Sequence, residues 1–368
     1  MKKFLSVLLF TCFLIPANAN DGVYFASGNH LIPVFESDIT VRKEILTIKK
    51  IRNQFIEVTV YYEFFNPGAD KTVLVGFEAA SPSGDVDGTP KNGMHPYMRD
   101  FTVNLNNQIL SYKVAYVNDS FYAKNGKINS MTLAEAKKGI TNTNEVEFMY
   151  VYYFDARFKK GVNIVKHTYN YDLSGSVDLQ YDFEYILTAA KRWANKQIDD
   201  FTLVVDMGEF EQFRINKYFF TNSSSWLING IGKTTEFKAK PDTYPDQDAT
   251  IFTIQKGNII YQQKNFKPKG ELFIYTVNYI PEGDTFNAAE HTLPFSYEIQ
   301  DRISPPADDF SKKILKNLPF ARRGYVFTNK ELQQYFEKKA DWYIPNPNYV
   351  PEVEIIHEKE KSWIEKWK

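Results

Sequence analysis

The chain has 368 residues, a formal net charge of −1 and 16% aromatic residues, including 24 Tyr and 30 Phe. That length accommodates two or three domains with a sizeable core, and the balanced charge supplies no global field toward nucleic acid or an anionic membrane. No nucleic-acid partner is expected, and the ring content favours β-sheet, whose pleated, half-buried surface suits flat side chains.

The chain opens with "MKKFLSVLLFTCFLIPANAN". Lys2 and Lys3 precede an apolar run from Phe4 to Ile15, followed by Pro16 and the A-x-A site Ala17-Asn18-Ala19. This predicts a secretory signal peptide over residues 1–19, cut after Ala19, with an apolar run too short to span a bilayer. The expected location is periplasmic or extracellular, with no transmembrane segment in the exported chain. The one cysteine, Cys12, lies inside the apolar run after Thr11, a poor context for lipid attachment. The mature chain therefore has no disulfide, thiol nucleophile or cysteine-based metal site. Loss of Lys2 and Lys3 leaves 42 of the 44 basic residues against 45 acidic ones, a mature charge of −3.

Residues 20–300 read as β-rich. "IEVTVYYEFFN" alternates Ile56, Val58, Val60, Tyr62 and Phe64 with Glu57, Thr59, Tyr61 and Glu63, the period of a half-buried strand. Asn66-Pro67-Gly68 turns the chain into "KTVLVGFE". Further runs follow at "RDFTVNLN", "ILSYKVAYV", "EVEFMYVYYFDA", "VNIVKHTYNY", "YDFEYIL", "DDFTLVVDM", "ATIFTIQ" and "ELFIYTVNY". Short strands separated by Gly, Pro, Asn and Asp predict sandwiches rather than βαβ units. A helix at "SMTLAEAKKGI" has a capping box in Thr132 and Glu135 and a stop at Gly139. The β region is long for one sandwich, so a two-lobed β-sandwich split near 125–140 is expected.

After Pro305-Pro306 the pattern turns helical, and residues 305–368 read as a separate, mainly α domain. Asp308 caps "FSKKILKNL", and Thr328 with Glu331 forms a second capping box. Val353, Ile356, Trp363 and Trp367 mark one face of a last helix, with Glu360 as the one gap in the spacing. The expected fold class is therefore multidomain: mainly β, then a small mainly α C-terminal domain.

The stretch "FARRGYVFTNKELQQYFEKKADWYIPN" resembles the YARHG domain, an extracellular module of bacterial proteins. Ala321-Arg322, Gly324-Tyr325, Phe327, Glu331-Leu332, Tyr335-Phe336 and Trp342-Tyr343 fall in its order, while Phe320 and Arg323 replace the motif's Tyr and His. Arginine cannot exchange protons near neutral pH, so Arg323 is unsuited to general-base work. The resemblance implies no established activity. "NDGVYFASGN", "ITVRKEILTI" with "VTVYYEFFN" and "VLVGF", and "YILTAAKRWANKQIDDFTLVV" resemble an uncharacterised family of secreted β-rich bacterial proteins.

Two readings of the arginines stay open. A guanidinium can pin the loop to a carboxylate such as Asp341 or Glu337, or it can hold an anionic ligand. Residues 312–339 carry eight basic and two acidic residues, and 341–365 two basic and six acidic, so the blocks can also pair with each other. The candidate binding residues are Arg322, Arg323, Tyr325, Trp342 and Tyr343, with the two aromatic neighbours weighed against a role in the core. Gly324 is expected at positive φ, with Phe320, Tyr325 and Phe327 anchoring the turn.

Asp85, Asp87 and Gly88 imitate the start of a calcium loop but lack its closing acidic ligands, so a turn is the better reading. His30, His95, His167, His291 and His357 are scattered without metal or triad spacing, and no nucleophile elbow, P-loop or dinucleotide fingerprint occurs. No cofactor, metal or catalytic residue is assigned. The expectation is a non-enzymatic envelope protein that binds or scaffolds, with cell-wall polymer or another envelope protein as partner. The alternative is an extracytoplasmic hydrolase whose site assembles only in three dimensions, and a third option is a structural subunit of a surface assembly.

Overall fold

The computed structural model describes residues 27–368 apart from 30, 35–36, 83–85, 119–127, 139, 141–147, 177, 241–245, 279–284, 296–302, 307 and 353–357. The leader, Cys12, Asp85, Gly139, Val353 and Ile356 lie outside the described residues. Along the chain, β1 (Ser27–Asn29) and β2 (Ile32–Pro33) precede the longer β3 (Thr40–Ile51), β4 (Phe55–Asn66), β5 (Lys71–Ala80) and β6 (Met98–Leu105). Next come β7 (Gln108–Ile109), β8 (Lys113–Val117), the short helix α1 (Leu133–Lys138), β9 (Met149–Phe158), β10 (Gly161–Asp172) and β11 (Leu179–Ile186). The β region ends with β12 (Ile198–Asp206), β13 (Glu211–Asn216), β14 (Trp226–Phe237), β15 (Ala249–Phe266) and β16 (Leu272–Val277). Three helices follow: α2 (Asp309–Arg322), α3 (Lys330–Lys339) and α4 (Glu358–Lys366). The chain is mainly β with a helical C-terminal segment, as its periodicity implies.

The large sheet has the order β1-β11-β16-β13-β15-β12-β3-β4-β10-β6-β7, with β14 also paired to β15, and a second sheet runs β2-β5-β9-β8. In β4 the alternation holds: Ile56, Val58, Val60, Tyr62 and Phe64 are buried, while Glu57 and Thr59 face solvent. The buried rings meet those of the second sheet. Phe77 lies 5.4 Å from Phe101 and 5.0 Å from Tyr169, and Phe64 lies 5.6 Å from Phe158. These contacts make a sandwich with one continuous aromatic core.

The expected split near 125–140 has no counterpart in the strand pairing. β10 pairs with β4 and β6, β9 with β5 and β8, and β12 with β3, so strands from both sides of that stretch interleave. In the connection between β8 and β9, Met131 bridges back to Tyr116. There Thr132 and Glu135 do form the expected capping box, each backbone N–H donating to the other's side chain at 2.8 and 3.2 Å.

β13 and β14 had no clear sequence signal. β14 has a single buried residue, Trp226, and carries Gly230 opposite Gly257 in β15. A Cβ on either glycine would meet a backbone carbonyl of the opposite strand at 2.0 Å, so the close approach needs both.

A second cluster holds Ile314, Leu315, Leu318, Phe327, Leu332, Phe336, Trp342, Trp363 and Trp367. It also takes in Phe286, Leu293, Phe295 and Ile303, so the helical core reaches upstream of the expected start at 305. Trp342 Nε1 donates to Leu293 O at 2.7 Å, and Tyr335 OH donates to His291 O at 3.1 Å, stitching that segment to the helices. Asp308 caps α2 by accepting from Ser311 N at 2.7 Å. At α3 the cap is Asn329 rather than Thr328: its side chain accepts from the N–H groups of Glu331 and Leu332. Among the described residues no helix is long and apolar enough to cross a membrane.

Candidate functional site

The segment 320–327 forms the expected turn after α2. Gly324 has φ +81°, its N–H donates to Ala321 O at 2.8 Å, and its carbonyl accepts from Asn346 N at 2.7 Å. A Cβ there would sit 2.3 Å from Ile344 O, so the position excludes any side chain. Phe320, Tyr325 and Phe327 pack on the helical core as anticipated.

Sending the chain back at Gly324 points both arginines inward, onto a carboxylate the sequence had marked only as a gap. Arg322 NH1 donates to Glu360 Oε1 at 3.1 Å. Arg323 grips Glu360 with two N–H groups, NH1 to Oε1 at 2.9 Å and NH2 to Oε2 at 2.7 Å. Its NH1 also donates to Pro319 O at 2.8 Å, satisfying a carbonyl near the helix end. Glu360 is 2% exposed and Arg322 3%, so this is an ion network inside the protein. The expected carboxylate partners Asp341 and Glu337 are not the ones used. Arg323 forms a fork with a buried side chain, the first of the two readings left open for the pair.

The network reaches across to the β region through Phe210. Arg322 NH2 donates to Phe210 O at 2.8 Å, and the guanidinium carbons of Arg322 and Arg323 lie 5.3 and 4.6 Å from the Phe210 ring. Phe210 sits in the turn between β12 and β13 at φ +57°, a conformation a bulky side chain rarely adopts. Its N–H donates to Gln255 O at 3.1 Å, and the adjacent Glu211 pairs with buried Lys50 of β3 at 2.6 Å. A second tie joins Lys233 Nζ in β14 to Tyr343 O at 3.2 Å; burial lowers the lysine's pKa.

The remaining candidates are core or near-core. Trp342 and Tyr343 are buried. Trp342 packs 5.4 Å from Phe295, and Tyr343 OH donates to Tyr325 O at 2.6 Å. Half-buried Tyr325 lies edge-on to Phe327 at 4.8 Å. Arg322, Arg323, Tyr325, Trp342 and Tyr343 therefore do come together, but as the packed frame of the C-terminal segment.

A cleft of about 420 Å³ lies elsewhere, in the β region, and sequence reasoning missed it. Phe101, Tyr112 and Tyr152 form its floor, with rings 4.8, 4.7 and 5.6 Å apart. One wall is the two-residue turn Lys91–Met94, closed by reciprocal backbone bonds of 3.0 and 2.9 Å. Asn92 (φ +52°) and Gly93 (φ +79°) supply the left-handed pair that a type I′ turn requires. The lining also includes Arg99 and Asp100. Asp100 has φ +56° where the β6–β10 register shifts, and its carboxylate accepts from Asn170 Nδ2 at 2.7 Å. Arg99 pairs with Asp172.

Beneath the cleft, buried His95 fixes the floor. Its Nδ1 accepts from Tyr97 N at 3.2 Å, so Nε2 carries the proton and faces Ala80 O at 2.9 Å and Tyr171 OH at 2.9 Å. Its own backbone N–H donates to Tyr152 OH at 3.0 Å. Burial lowers the imidazole pKa to about 3, so the ring is neutral at physiological pH.

Two further features bear on chemistry. Burial, then the charge of Glu271, raises the Glu184 carboxyl pKa. Glu271 is held by the Thr188 N–H at 3.0 Å and by the Thr188 hydroxyl. Among the described residues no His, Cys, Asp and Glu cluster has the arrangement of a metal site, and Asp87 accepts from Thr89 N as part of a turn.

The fold and the packed frame define a mainly β protein with a helical C-terminal module. Residues 306–368 match the YARHG domain family. No curated protein matches the chain. Among solved structures it is similar to a proposed nutrient-binding protein from Legionella pneumophila, at 17% identity and a TM-score of 0.46 over 94% of this chain and 100% of that one. It also resembles an M1 zinc metallopeptidase from Deinococcus radiodurans, at 7% identity and a TM-score of 0.23 over 65% and 42% of the two chains. A proposed protease from Parabacteroides distasonis is similar at 7% identity and a TM-score of 0.25, over 66% and 41%. At these values the likenesses carry no functional argument.

Proposed function

We propose that the chain is an exported, non-enzymatic envelope protein that binds or scaffolds through its β region, with the YARHG domain fastened to that region as a fixed abutment. The observation that carries this reading is the engagement of Arg322 and Arg323 with Glu360 and Phe210. The basic pair faces inward and serves assembly, so contact with a partner falls to the rest of the molecule. Export is supported by the basic start, apolar run and A-x-A site of residues 1–19, and the mature chain is expected to begin at Asn20.

The test is retention of the purified exported chain by isolated cell wall and by envelope extract. Retention by either that survives moderate salt supports the reading. Recovery of the protein in the unbound fraction with both would sink it. Mass spectrometry of the exported chain checks its start, and a diacylglyceryl group on Cys12 would overturn the processing expected here.

A further inference from the structure

The geometry points to the cleft over Phe101, Tyr112 and Tyr152 as a saccharide site that takes one ring of a hydroxyl-rich oligosaccharide against Tyr112. The inference rests on the proposed binding role and names the ligand class for it. Its volume of about 420 Å³ lies within the ~300–1,000 Å³ typical of small-molecule sites. Phe101 and Tyr152 are buried and Tyr112 is half-buried, so Tyr112 offers the ring face while the other two hold it in place.

A sugar ring has an apolar C–H face and an edge of hydroxyls that both donate and accept. The floor matches the face. The rim matches the edge: the Lys91 ammonium donates, the Asn92 amide does both, and the Asp100 carboxylate accepts. Other ligand classes fit less well. The charge of Arg99 is matched by Asp172 and Asp100 and that of Lys91 by Asp87, so a phosphate or polyanion meets no net positive field. A wholly apolar ligand would strip water from Lys91 and Asp100 without replacing it.

The site is also organised before any ligand arrives. The type I′ turn fixes Asn92, the bulge fixes Asp100 through Asn170, and His95 holds Tyr152. Little ordering cost remains to be met on binding.

The experiment uses the purified exported chain and titration calorimetry with three probes: chitotetraose, inorganic phosphate and diglycine. Wall retention of the same preparations is measured in parallel. Chitotetraose is expected to bind, and phosphate and diglycine are not. Tyr112→Ala should weaken chitotetraose binding at least tenfold. Lys91→Ala, whose side chain is exposed and outside the core, should weaken it severalfold with an unchanged melting temperature. Tyr112→Ala should also lower wall retention. Chitotetraose binding that is unchanged in both variants overturns the assignment, as does preferential binding of phosphate or diglycine. Wall retention without any chitotetraose binding removes the saccharide inference while the binding role stands. Loss of both removes the two together.

Discussion

Glu360→Gln isolates the buried ion network, because it keeps the side-chain shape and removes one charge. In the parent, Glu360 accepts three hydrogen bonds from two guanidinium groups and its side chain is 3% exposed. At an effective dielectric near 20, attraction between charges at these separations is about 4 kcal/mol per pair, offset by the cost of taking all three groups out of water. The variant presents an amide N–H₂ to Arg323 and leaves buried Arg322 and part-buried Arg323 without a counter-charge. The expected loss of unfolding free energy is therefore about 3–5 kcal/mol, the range for orphaning a buried charge. Urea unfolding followed by tryptophan emission reads it, since Trp342, Trp363 and Trp367 all lie in the helical core. A triple Arg322→Met, Arg323→Met, Glu360→Met variant controls for packing and should recover most of the loss, because apolar replacement of a whole buried network is often close to neutral. A Glu360→Gln protein within about 0.5 kcal/mol of the parent would refute the network's role.

Gly324→Ala should destabilise the C-terminal domain by about 1–3 kcal/mol, from φ +81° and the contact with Ile344 O, as read by urea unfolding. Lowering the pH from 6.5 toward 3 should cost stability at up to ~1.4 kcal/mol per unit, because unfolded His95 takes a proton that the buried ring refuses; above pH 6.5 both states are neutral and the term vanishes. Unfolding curves at pH 7 and pH 4 should therefore differ less in His95→Gln than in the parent. Phe210→Ala should loosen the C-terminal domain from the β region, turning a single calorimetric transition into two, and an unchanged single transition would count against the docking role. Proteolytic nicking between Ile303 and Asp308 should leave the two fragments associated on gel filtration, because the segment containing Phe286, Leu293 and Phe295 packs into the helical core.

What could be read beforehand depended on how local its cause was. The alternation of β4, the Thr132–Glu135 box and the need for glycine at 324 arise within a few residues, and each is visible in the chain. Strand pairing is not local: β3 finds β12, and β4 finds β10, across roughly a hundred residues or more, so strands from both sides of 125–140 share one sheet. β14 escaped notice because its glycines serve a close strand contact rather than a turn. Glu360 was legible as an anomaly, a carboxylate on a face otherwise suited to burial, and such a gap calls for a buried cation partner. Reading it against Arg322 and Arg323 would have predicted the network. The cleft was not legible, since Lys91, Asp100, Tyr112 and Tyr152 come from four separate strands and turns, and only Asn92-Gly93 bears a signature of its own.

The Phe210 turn gives a physical reason for a pair of arginines, Arg322 and Arg323, where an apolar contact could have held the helices against the sheet. A left-handed phenylalanine costs roughly 1–3 kcal/mol and persists only if its surroundings over-determine it. Here they do so from both sides. The β region holds the turn through the Phe210 N–H on Gln255 O and the Glu211–Lys50 pair, and the C-terminal domain holds it through Arg322 on the Phe210 carbonyl. Apolar surfaces can slide by an ångström at little cost, whereas a guanidinium that must satisfy one carbonyl and one carboxylate has a single acceptable position. The ring of Phe210 beside both cations adds a second constraint on the same residue. Glu360 balances one of the two positive charges, and the carbonyls of Phe210 and Pro319 direct dipoles at the other. Arg322 and Arg323 thus form a docking fork between helices and sheet, and their charge is better read as assembly than as recognition.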